Sequence, residues 1–247
     1  DALPISILEC ILIDSTKGNI KLTANDMELG IETIIEGEII EKGIVALDAK
    51  IFLEIVRKLP DNNITIETDN NLKTVINCEK SQFTIIGKSG DDFSYLPIVE
   101  KNNPVIVSQF TLKEVVRQTI FSISDNDTNK MMSGELFEIN NDELKVVSLD
   151  GHRISIRKIK MKNSYPTSKV VIPGKTLSEV NKILTGDADK DVNIYFTDKH
   201  IIFEFDNTTV VSRLIEGEYF KIDQMLSNDY EKKVKINKRL LLDCIDR

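Results

Sequence analysis

Internal repetition constrains this chain more than any other feature of its 247 residues. The stretch V-A-L-D-A-K-I-F-L-E-I-V-R-K-L, which begins at Val45, is similar to V-I-P-G-K-T-L-S-E-V-N-K-I-L, which begins at Val171. Lys50 then aligns with Lys175, which lies 125 residues later. Because self-similarity at a fixed spacing is typical of tandem supersecondary units, we expect a fold built by duplication.

Further matches extend this repeat in both directions along the chain. They pair residues 20–29 with 144–154, residues 90–93 with 216–219, and residues 105–118 with 234–247. In the first of these matches Asp26 aligns with Asp150, with one residue inserted in the second copy. The spacing predicts a first domain over 1–103, a complete second domain over 104–230 and the start of a third over 231–247. We therefore expect a fragment that lacks a first helix in front and most of a domain behind.

Hydrophobic periodicity predicts the same pattern of elements in each half of a copy. Apolar residues at helical spacing predict helices over 48–59, 110–121 and 175–184. Short apolar alternations between turn residues predict strands around them. The fold class is therefore predicted as α+β, with tandem repeats of βαβββ units and helices on one face of antiparallel sheets. Such copies could align their sheets edge to edge and their helices side by side.

The charge of the chain is unevenly distributed along these predicted helices. The formal net charge is −8, which by itself argues against a nucleic-acid binder. However, three helices carry basic residues opposite their apolar stripe, namely Lys50, Arg57 and Lys58, then Lys113 and Arg117, and then Lys175 and Lys182. Such faces suit sequence-independent contacts with phosphates. Glu54, Glu114 and Glu179 lie on the same helices, so ordinary solvated faces with internal ion pairs remain an alternative.

Several protein classes are disfavoured by composition. No apolar run approaches the ~18 residues that a membrane-spanning helix needs, and the N-terminus does not read as a signal peptide. The three cysteines, Cys10, Cys78 and Cys244, are scattered and form no C-x-x-C pair. We therefore expect reduced thiols in a cytoplasmic protein rather than a disulfide framework or a zinc ribbon.

The stretch S-L-D-G-H-R-I-S-I-R-K over residues 148–158 has the composition of a catalytic or metal-binding cluster. General acid–base chemistry needs a second group within reach, and no hydrolase, zinc-protease or phosphate-loop motif supplies one. The second histidine, His200, lies far away in a turn-like T-D-K-H segment. We predict that His152 is a turn or structural residue, and that the chain has no catalytic residues, metal or cofactor.

Taken together, the motifs resemble those of one family along the whole chain and in order. The most specific are V-I-P-G-K at 171–175 and S-R-L-I-E-G-E-Y at 212–219, with A-K-I-F-L-E-I-V-R-K-L-P at 49–60 and L-D-G-H-R-I-S-I-R-K at 149–158. The sequence resembles the bacterial sliding clamps, the beta subunits of the replicative DNA polymerase. The resemblance implies three similar domains per chain, two chains closed head to tail into a ring, and helices that line a central hole.

The resemblance also implies a function without chemistry. Members of this family encircle double-stranded DNA and tether the polymerase, so weak, sequence-independent phosphate contacts suffice. The partners implied are DNA, the catalytic subunit of the replicative polymerase, the clamp loader, repair polymerases and, in the full-length protein, a second copy of the chain. A duplicated binding module that forms no ring is the alternative, and we expect this fragment to form no ring because a third domain should supply half of the dimer contact.

For DNA, the resemblance adds a loop to the helix-borne residues. The residues implied are Lys50, Arg57, Lys58, Lys113, Arg117, Asn126, Lys130, Lys175 and Lys182. Asn126 and Lys130 belong to a loop that would reach the duplex at the rim of the hole.

For partner proteins, the resemblance implies a pocket that receives a short, partly hydrophobic peptide between the second and third domains. The residues implied are Leu149, Gly151, His152, Arg153 and Ile154, with Met132 from the preceding strand and Leu226 and Ser227 from the linker. Leu149 stands where the family often has Thr, and Ser227 stands where it often has Pro. These two departures would make the rim more apolar and less rigid, and would shift the peptide preference.

Overall fold

A computed structural model describes residues 5–124, 129–226 and 231–246. The described residues up to Gly217 form one compact unit, and those from Glu218 onward form a second. Within these ranges no helix has the length and apolar character required to cross a membrane.

The first copy begins with a short helix and four strands, followed by a longer helix and three strands. The elements are α1 (Ile5–Leu8), β1 (Cys10–Asp14), β2 (Ile20–Asn25), β3 (Leu29–Ile35), β4 (Ile44–Asp48), α2 (Ala49–Val56), β5 (Thr65–Thr68), β6 (Lys73–Cys78) and β7 (Ser81–Ile86). The second copy contains β8 (Val105–Ser108), α3 (Gln109–Thr119), β9 (Gly134–Leu149), β10 (Ile154–Pro173), α4 (Gly174–Ile183), β11 (Asp191–Phe196), β12 (His200–Phe205) and β13 (Thr208–Arg213).

Side-chain caps explain where two of the predicted helices begin. Asp48 accepts a hydrogen bond from the backbone N–H of Ile51 at 2.8 Å, and Ser108 accepts one from Thr111 at 3.2 Å. Each cap satisfies a donor that the first helical turn leaves unpaired. Helix α2 ends at Val56, three residues earlier than predicted, and a looser turn continues to Lys58.

One large antiparallel sheet joins the two copies. Its strand order is β4-β1-β2-β3-β13-β12-β11-β8, and β3 pairs with β13 so that Ile31 lies opposite Val210. The expected edge-to-edge alignment is therefore confirmed in the described part of the chain. The segment between the copies covers this joint, because Leu96 and Val99 pack against Tyr195, Ile202 and Val211.

The paired strands β9 and β10 contain the second-copy counterpart of β1 to β4. Glu138 and Lys145 form an ion pair at 3.3 Å although seven residues separate them. An extended strand would place them about 24 Å apart, so the chain reverses between them, next to Asn141 with its positive φ of 52°. Residues 134–139 and 143–149 therefore correspond to β1 and β2, and the two ends of β10 correspond to β3 and β4.

The largest core lies under the second copy. Leu112 and Val116 of α3 and Leu177 and Val180 of α4 are fully buried, together with apolar residues of β8 to β13. Each such side chain contributes about 1.5–3 kcal/mol relative to an exposed position. This burial holds both helices so that their polar sides remain at the surface.

The described part of the second unit contains two helices, α5 (Ile222–Met225) and α6 (Lys238–Ile245). Asn237 caps α6 by accepting a hydrogen bond from the backbone N–H of Arg239 at 2.9 Å. The cap occupies the position that Ser108 occupies before α3 in the alignment of the copies. The sequence repeat predicts the start of a third copy at this place.

Candidate functional site

The turn between β9 and β10 is shaped by Asp150. Its Oδ1 accepts hydrogen bonds from the backbone N–H groups of His152 at 3.0 Å and Arg153 at 3.1 Å. The backbone N–H of Asp150 donates to the carbonyl of Arg153 at 3.3 Å. Gly151 has a φ of 89°, a conformation that costs little only without a side chain. Asp150 therefore sets the shape of the turn, as expected for this residue type.

Arg153 is held at this turn by two further contacts. Its Nε donates to Oδ2 of Asp150 at 2.8 Å, and its guanidinium carbon lies 5.6 Å from the centre of the Phe121 ring. The hydrogen bonds from the backbone of His152 and then of Arg153 hold the pKa of Asp150 below its usual value. The lowered pKa favours the ionised form of Asp150, which makes it a poor general acid.

The two histidines form no catalytic or metal-binding set in the described residues. His152 is exposed and contributes only its backbone N–H to the turn. His200 begins β12 and is half-buried, and burial followed by the charges of Arg213 and Lys199 lowers its pKa. Among the described side chains, no three His, Cys, Asp or Glu residues cluster as metal ligands would.

The structure brings five of the predicted peptide-contacting residues into this single turn. Gly151, His152 and Arg153 are exposed, Ile154 is half-buried and Leu149 is fully buried. Met132 is half-buried and lies in a 3-10 helix, Lys130–Ser133, rather than in a strand as predicted. The reason is that Asn129 caps this segment by accepting a hydrogen bond from the backbone N–H of Met131 at 3.0 Å.

The two remaining residues predicted for the peptide pocket lie in the linker. Leu226 belongs to the second unit, where it follows α5 and is 41% exposed. Ser227 lies outside the described residues. Their roles stay predictions.

The first copy contains the same turn between β2 and β3. Oδ1 of Asp26 accepts hydrogen bonds from the backbone N–H groups of Glu28 at 3.0 Å and Leu29 at 2.7 Å. The backbone N–H of Asp26 donates to the carbonyl of Leu29, which matches the pattern from Asp150 to Arg153. The two turns therefore have equal length, and the residue insertion expected in the second copy is wrong. Met27 occupies the position of Gly151, with a positive φ of 75°.

Lys175, which was predicted to contact DNA, forms an ion pair with Asp26 of the first copy. Burial raises the pKa of Asp26, but hydrogen bonds from Lys175, Leu29 and Glu28 outweigh it, so the pKa lies below its usual value. The pair connects the first turn of α4 to the turn before β3. Because 64% of the Lys175 side chain is exposed, the pair contributes only about 0–1 kcal/mol.

The other helix-borne basic residues differ in whether they have partners. Lys50, Arg57 and Lys58 are exposed, and within the described ranges their side chains form no ion pair. Arg117 pairs with Glu114 at 2.7 Å and Lys182 pairs with Glu179 at 2.8 Å, each within its own helix. Nζ of Lys113 donates to the carbonyl of Leu184 at 2.6 Å and so caps the end of α4.

Two loop residues were also predicted to contact DNA. Lys130 is exposed at the start of its 3-10 helix. Asn126 lies outside the described residues. Both predictions stay open.

Sequence reasoning missed Arg157 on β10. The hydrogen bond from Arg117 is the main influence that lowers the pKa of Glu114, and the charge of Arg157 adds to it. The hydroxyl of Ser155, two residues earlier on β10, lies 2.6 Å from that of Ser122 just after α3, so this face of β10 is turned toward α3. The strand alternation from Ser155 places Arg157 on the same face of β10, and this pattern could have identified it.

Comparisons with known proteins agree with this architecture. Residues 3–97 match the DNA polymerase III beta subunit N-terminal domain, and residues 106–221 match its central domain. Proteins named beta sliding clamp from Staphylococcus epidermidis and Staphylococcus aureus are 33% and 32% identical over 98% of the chain. The chain spans 66% of the length of these relatives.

Solved structures extend the comparison to the fold. A candidate DNA polymerase III beta subunit from Eubacterium rectale is 71% identical, with a TM-score of 0.94 over 99% of this chain and 68% of that one. The DNA polymerase sliding clamp from Bacillus subtilis is 31% identical, with a TM-score of 0.91 over 100% of this chain and 67% of that one. The duplicated sheet, the capped helices and these likenesses lead to one conclusion: the chain belongs to the DNA polymerase III beta subunit family.

Proposed function

We propose that this chain is part of a DNA sliding clamp, a ring that surrounds double-stranded DNA and keeps the replicative polymerase attached. The observation that carries the proposal is the joint between β3 and β13, which unites two copies of one unit in a continuous sheet. A joint that can be repeated from copy to copy can close a chain of domains into a ring.

Two strand edges support closure by further joints of this kind. By repeat position, β7 corresponds to β13, and residues 154–160 of β10 correspond to β3. Within the described residues, β7 pairs only with β6, and β10 pairs only with β9. Edges of this kind expose backbone donors and acceptors that readily pair with another strand. In the full-length protein, we propose that β10 joins a third domain and that β7 joins a second copy of the chain.

The basic helix faces are proposed to meet the DNA backbone. Lys50, Arg57 and Lys58 are the strongest candidates, because no ion-pair partner competes for them in the described structure. Three residues, Arg117, Lys182 and Lys175, would exchange a carboxylate partner for a phosphate. Lys113, which donates to a backbone carbonyl, and Lys130 would add positive charge without a specific phosphate contact. Arg157 is added to this group because it lies next to α3. Such contacts hold the duplex without reading its sequence.

The turn at residues 150–153 is proposed to form one wall of a peptide-docking site. Exposed Gly151, His152 and Arg153 and half-buried Ile154 would contact the ligand, while fully buried Leu149 would support them from beneath. The peptides would come from the catalytic subunit of the polymerase, the clamp loader and repair polymerases. These tethering roles require no catalytic step. A role in bacterial DNA replication also implies that the protein acts in the cytoplasm.

Retention on circular and linear DNA tests the proposal. The full-length protein would be loaded by a clamp loader onto a nicked circular plasmid, which would then be linearised in half of the sample. We expect gel filtration to show the protein on the circle and its loss from the linear form, because only a closed ring depends on topology. Equal retention on both forms would instead support a binding module that forms no ring.

Salt supplies a second measurement on the same samples. A protein bound by phosphate contacts loses about 10³–10⁵ in affinity when salt rises from 50 to 200 mM. A protein ring that is topologically linked to circular DNA should stay bound when the salt concentration rises in this way. Release from the circle at moderate salt would contradict encirclement.

A further inference from the structure

The ring of Phe121 lies on the surface directly beneath Arg153. Phe121 belongs to a 3-10 helix, Ile120–Ser122, that continues α3, and it is 57% exposed. The 5.6 Å between the guanidinium carbon and the ring centre is within the range of cation–π contacts. Phe110, at the other end of the same helix, is 53% exposed and carries no such cation in the described structure.

The position of Phe121 is fixed by hydroxyl hydrogen bonds on both sides of it. The hydroxyl of Ser148 donates to the carbonyl of Thr119 at 2.6 Å, and the hydroxyls of Ser122 and Ser155 lie 2.6 Å apart. Both contacts connect the end of α3 to the hairpin that carries the turn. Ser122, Ser148 and Thr119 are buried, so water competes little for these bonds.

The two partners of Arg153 restrict its guanidinium in complementary ways. The carboxylate of Asp150 accepts a hydrogen bond from Nε–H at 2.8 Å, and the ring of Phe121 lies under the guanidinium, 5.6 Å from its carbon. The terminal N–H groups of the guanidinium point to no partner among the described residues. A planar guanidinium that is oriented in advance loses little rotational freedom when a ligand carbonyl or carboxylate binds.

We propose that Phe121 is a positioning residue for peptide docking, which orients Arg153 so that its terminal N–H groups face the backbone carbonyls or carboxylates of a bound peptide. The inference rests on the proposed docking function and adds a residue that lies outside the turn. It also makes the end of α3 part of the docking site, although α3 presents its basic residues to a different ligand.

Substitution of Phe121 tests this role in the full-length protein. The probe is a fluorescent peptide that copies the clamp-binding segment of the cognate polymerase, and the readout is fluorescence anisotropy. Phe121→Leu keeps an apolar side chain but removes the ring, so we expect binding to weaken roughly two- to five-fold. Phe121→Tyr keeps the ring and should retain the wild-type affinity. Phe110→Leu removes an equally exposed ring from the same helix and should leave the affinity unchanged.

A double substitution separates positioning from direct contact. If Phe121 acts through Arg153, then Phe121→Leu should have no further effect in an Arg153→Ala background. The Nε–H resonance of Arg153 provides a readout that needs no peptide, since it should move when the ring current of Phe121 is removed. An unchanged resonance, or equal losses from Phe121→Leu in both backgrounds, would overturn the positioning role.

The possible failures can be told apart. If Arg153→Ala weakens binding while Phe121→Leu does not, the docking site stands and this inference is wrong. If the wild-type protein binds no peptide, the docking function itself fails and the inference fails with it. Thermal melting of each variant reports whether a loss of affinity reflects a loss of folding.

Discussion

The two repeats use one backbone turn for two different purposes. The turns at 26–29 and 150–153 have the same length, the same backbone hydrogen bonds and an aspartate at the same position. They differ in where the second carboxylate oxygen is directed. Asp26 reaches across to Lys175 in the other copy, whereas Asp150 holds Arg153 within its own turn.

The first turn leads into the strand that pairs the two copies, whereas the second turn presents Arg153 at the surface. Leu29, which aligns with Arg153, is buried in the core that both copies share, because β3 pairs with β13. Residues 154–160 of β10, the counterpart of β3, pair on one side only within the described structure. The last residue of the first turn, Leu29, is therefore buried in the joint, whereas its counterpart Arg153 is exposed. The two copies share the backbone of this turn, and the strands that pair beside each copy determine whether the end of the turn is buried or exposed.

A further difference between the copies lies near the start of β9, at Glu135. It aligns with Ile11 of β1, yet it is fully buried, and neither carboxylate oxygen has a hydrogen-bond partner among the described residues. The nearby hydroxyl of Thr119 donates to the carbonyl of Val115 instead. Burial consequently raises the pKa of Glu135 to about 8.

Glu135→Gln should remove a pH dependence of stability. Between about pH 4.5 and 8 the folded chain keeps a proton that the unfolded chain releases, so the free energy of unfolding of the wild type should fall as pH rises. The total loss should be on the order of 2–4 kcal/mol, and the Gln variant should show a flatter profile. Urea unfolding at pH 5, 6.5 and 8 measures it. Parallel profiles for the two proteins would show that Glu135 is ionised in the folded state.

Arg153→Ala should weaken peptide binding at the second turn. A central arginine with oriented donors typically contributes about 1–2 kcal/mol or more to an interface, so peptide affinity should fall roughly ten-fold or further. Anisotropy with the polymerase peptide measures it. Met27→Ala changes an exposed residue of the first turn and serves as the matched control, which should bind normally. Unchanged affinity after Arg153→Ala would remove this residue from the site.

Asp26→Ala should weaken the joint more than Asp150→Ala weakens the second turn. Both variants lose two backbone hydrogen bonds and one ion pair, but the pair of Asp26 with Lys175 connects the two copies, whereas that of Asp150 with Arg153 stays within one turn. We expect losses of about 1–2 kcal/mol for Asp26 and about 1 kcal/mol for Asp150 in urea unfolding. Asp26→Ala together with Lys175→Ala should cost little more than Asp26→Ala alone. Additive losses would show that the ion pair contributes nothing.

Met27→Gly and Gly151→Ala change equivalent positions of the two turns, and we expect them to have the smallest effects on stability. Met27 adopts the left-handed conformation with a φ of 75°, so Met27→Gly should stabilise the protein by about 0.5–1 kcal/mol. Gly151 has a φ of 89° and open space around it, so Gly151→Ala should cost about 1 kcal/mol from strain alone. Thermal melting measures both. Shifts of the same sign would contradict the equivalence of the turns.

Sequence periodicity predicted most of the fold but not every partner. Helices α2, α3 and α4 follow from apolar residues at helical spacing. The same patterns placed Lys113 and Lys175 on exposed helix faces, whereas the structure gives them partners 71 and 149 residues away. Phe121 was not identified because periodicity reports which side of a helix is exposed, not what lies over it.

The sequence alone determined the repeat, the fold class and the basic sides of the helices, because each depends on the spacing of residue types along the chain. Only the tertiary structure decided that β3 joins β13, that Asp26 holds Lys175, and that Arg153 lies on Phe121. These contacts connect residues far apart in the chain, and packing selects them from many that local patterns allow. For the same reason, two turns of equal length lead into a buried joint at Leu29 in one copy and end at the exposed Arg153 in the other.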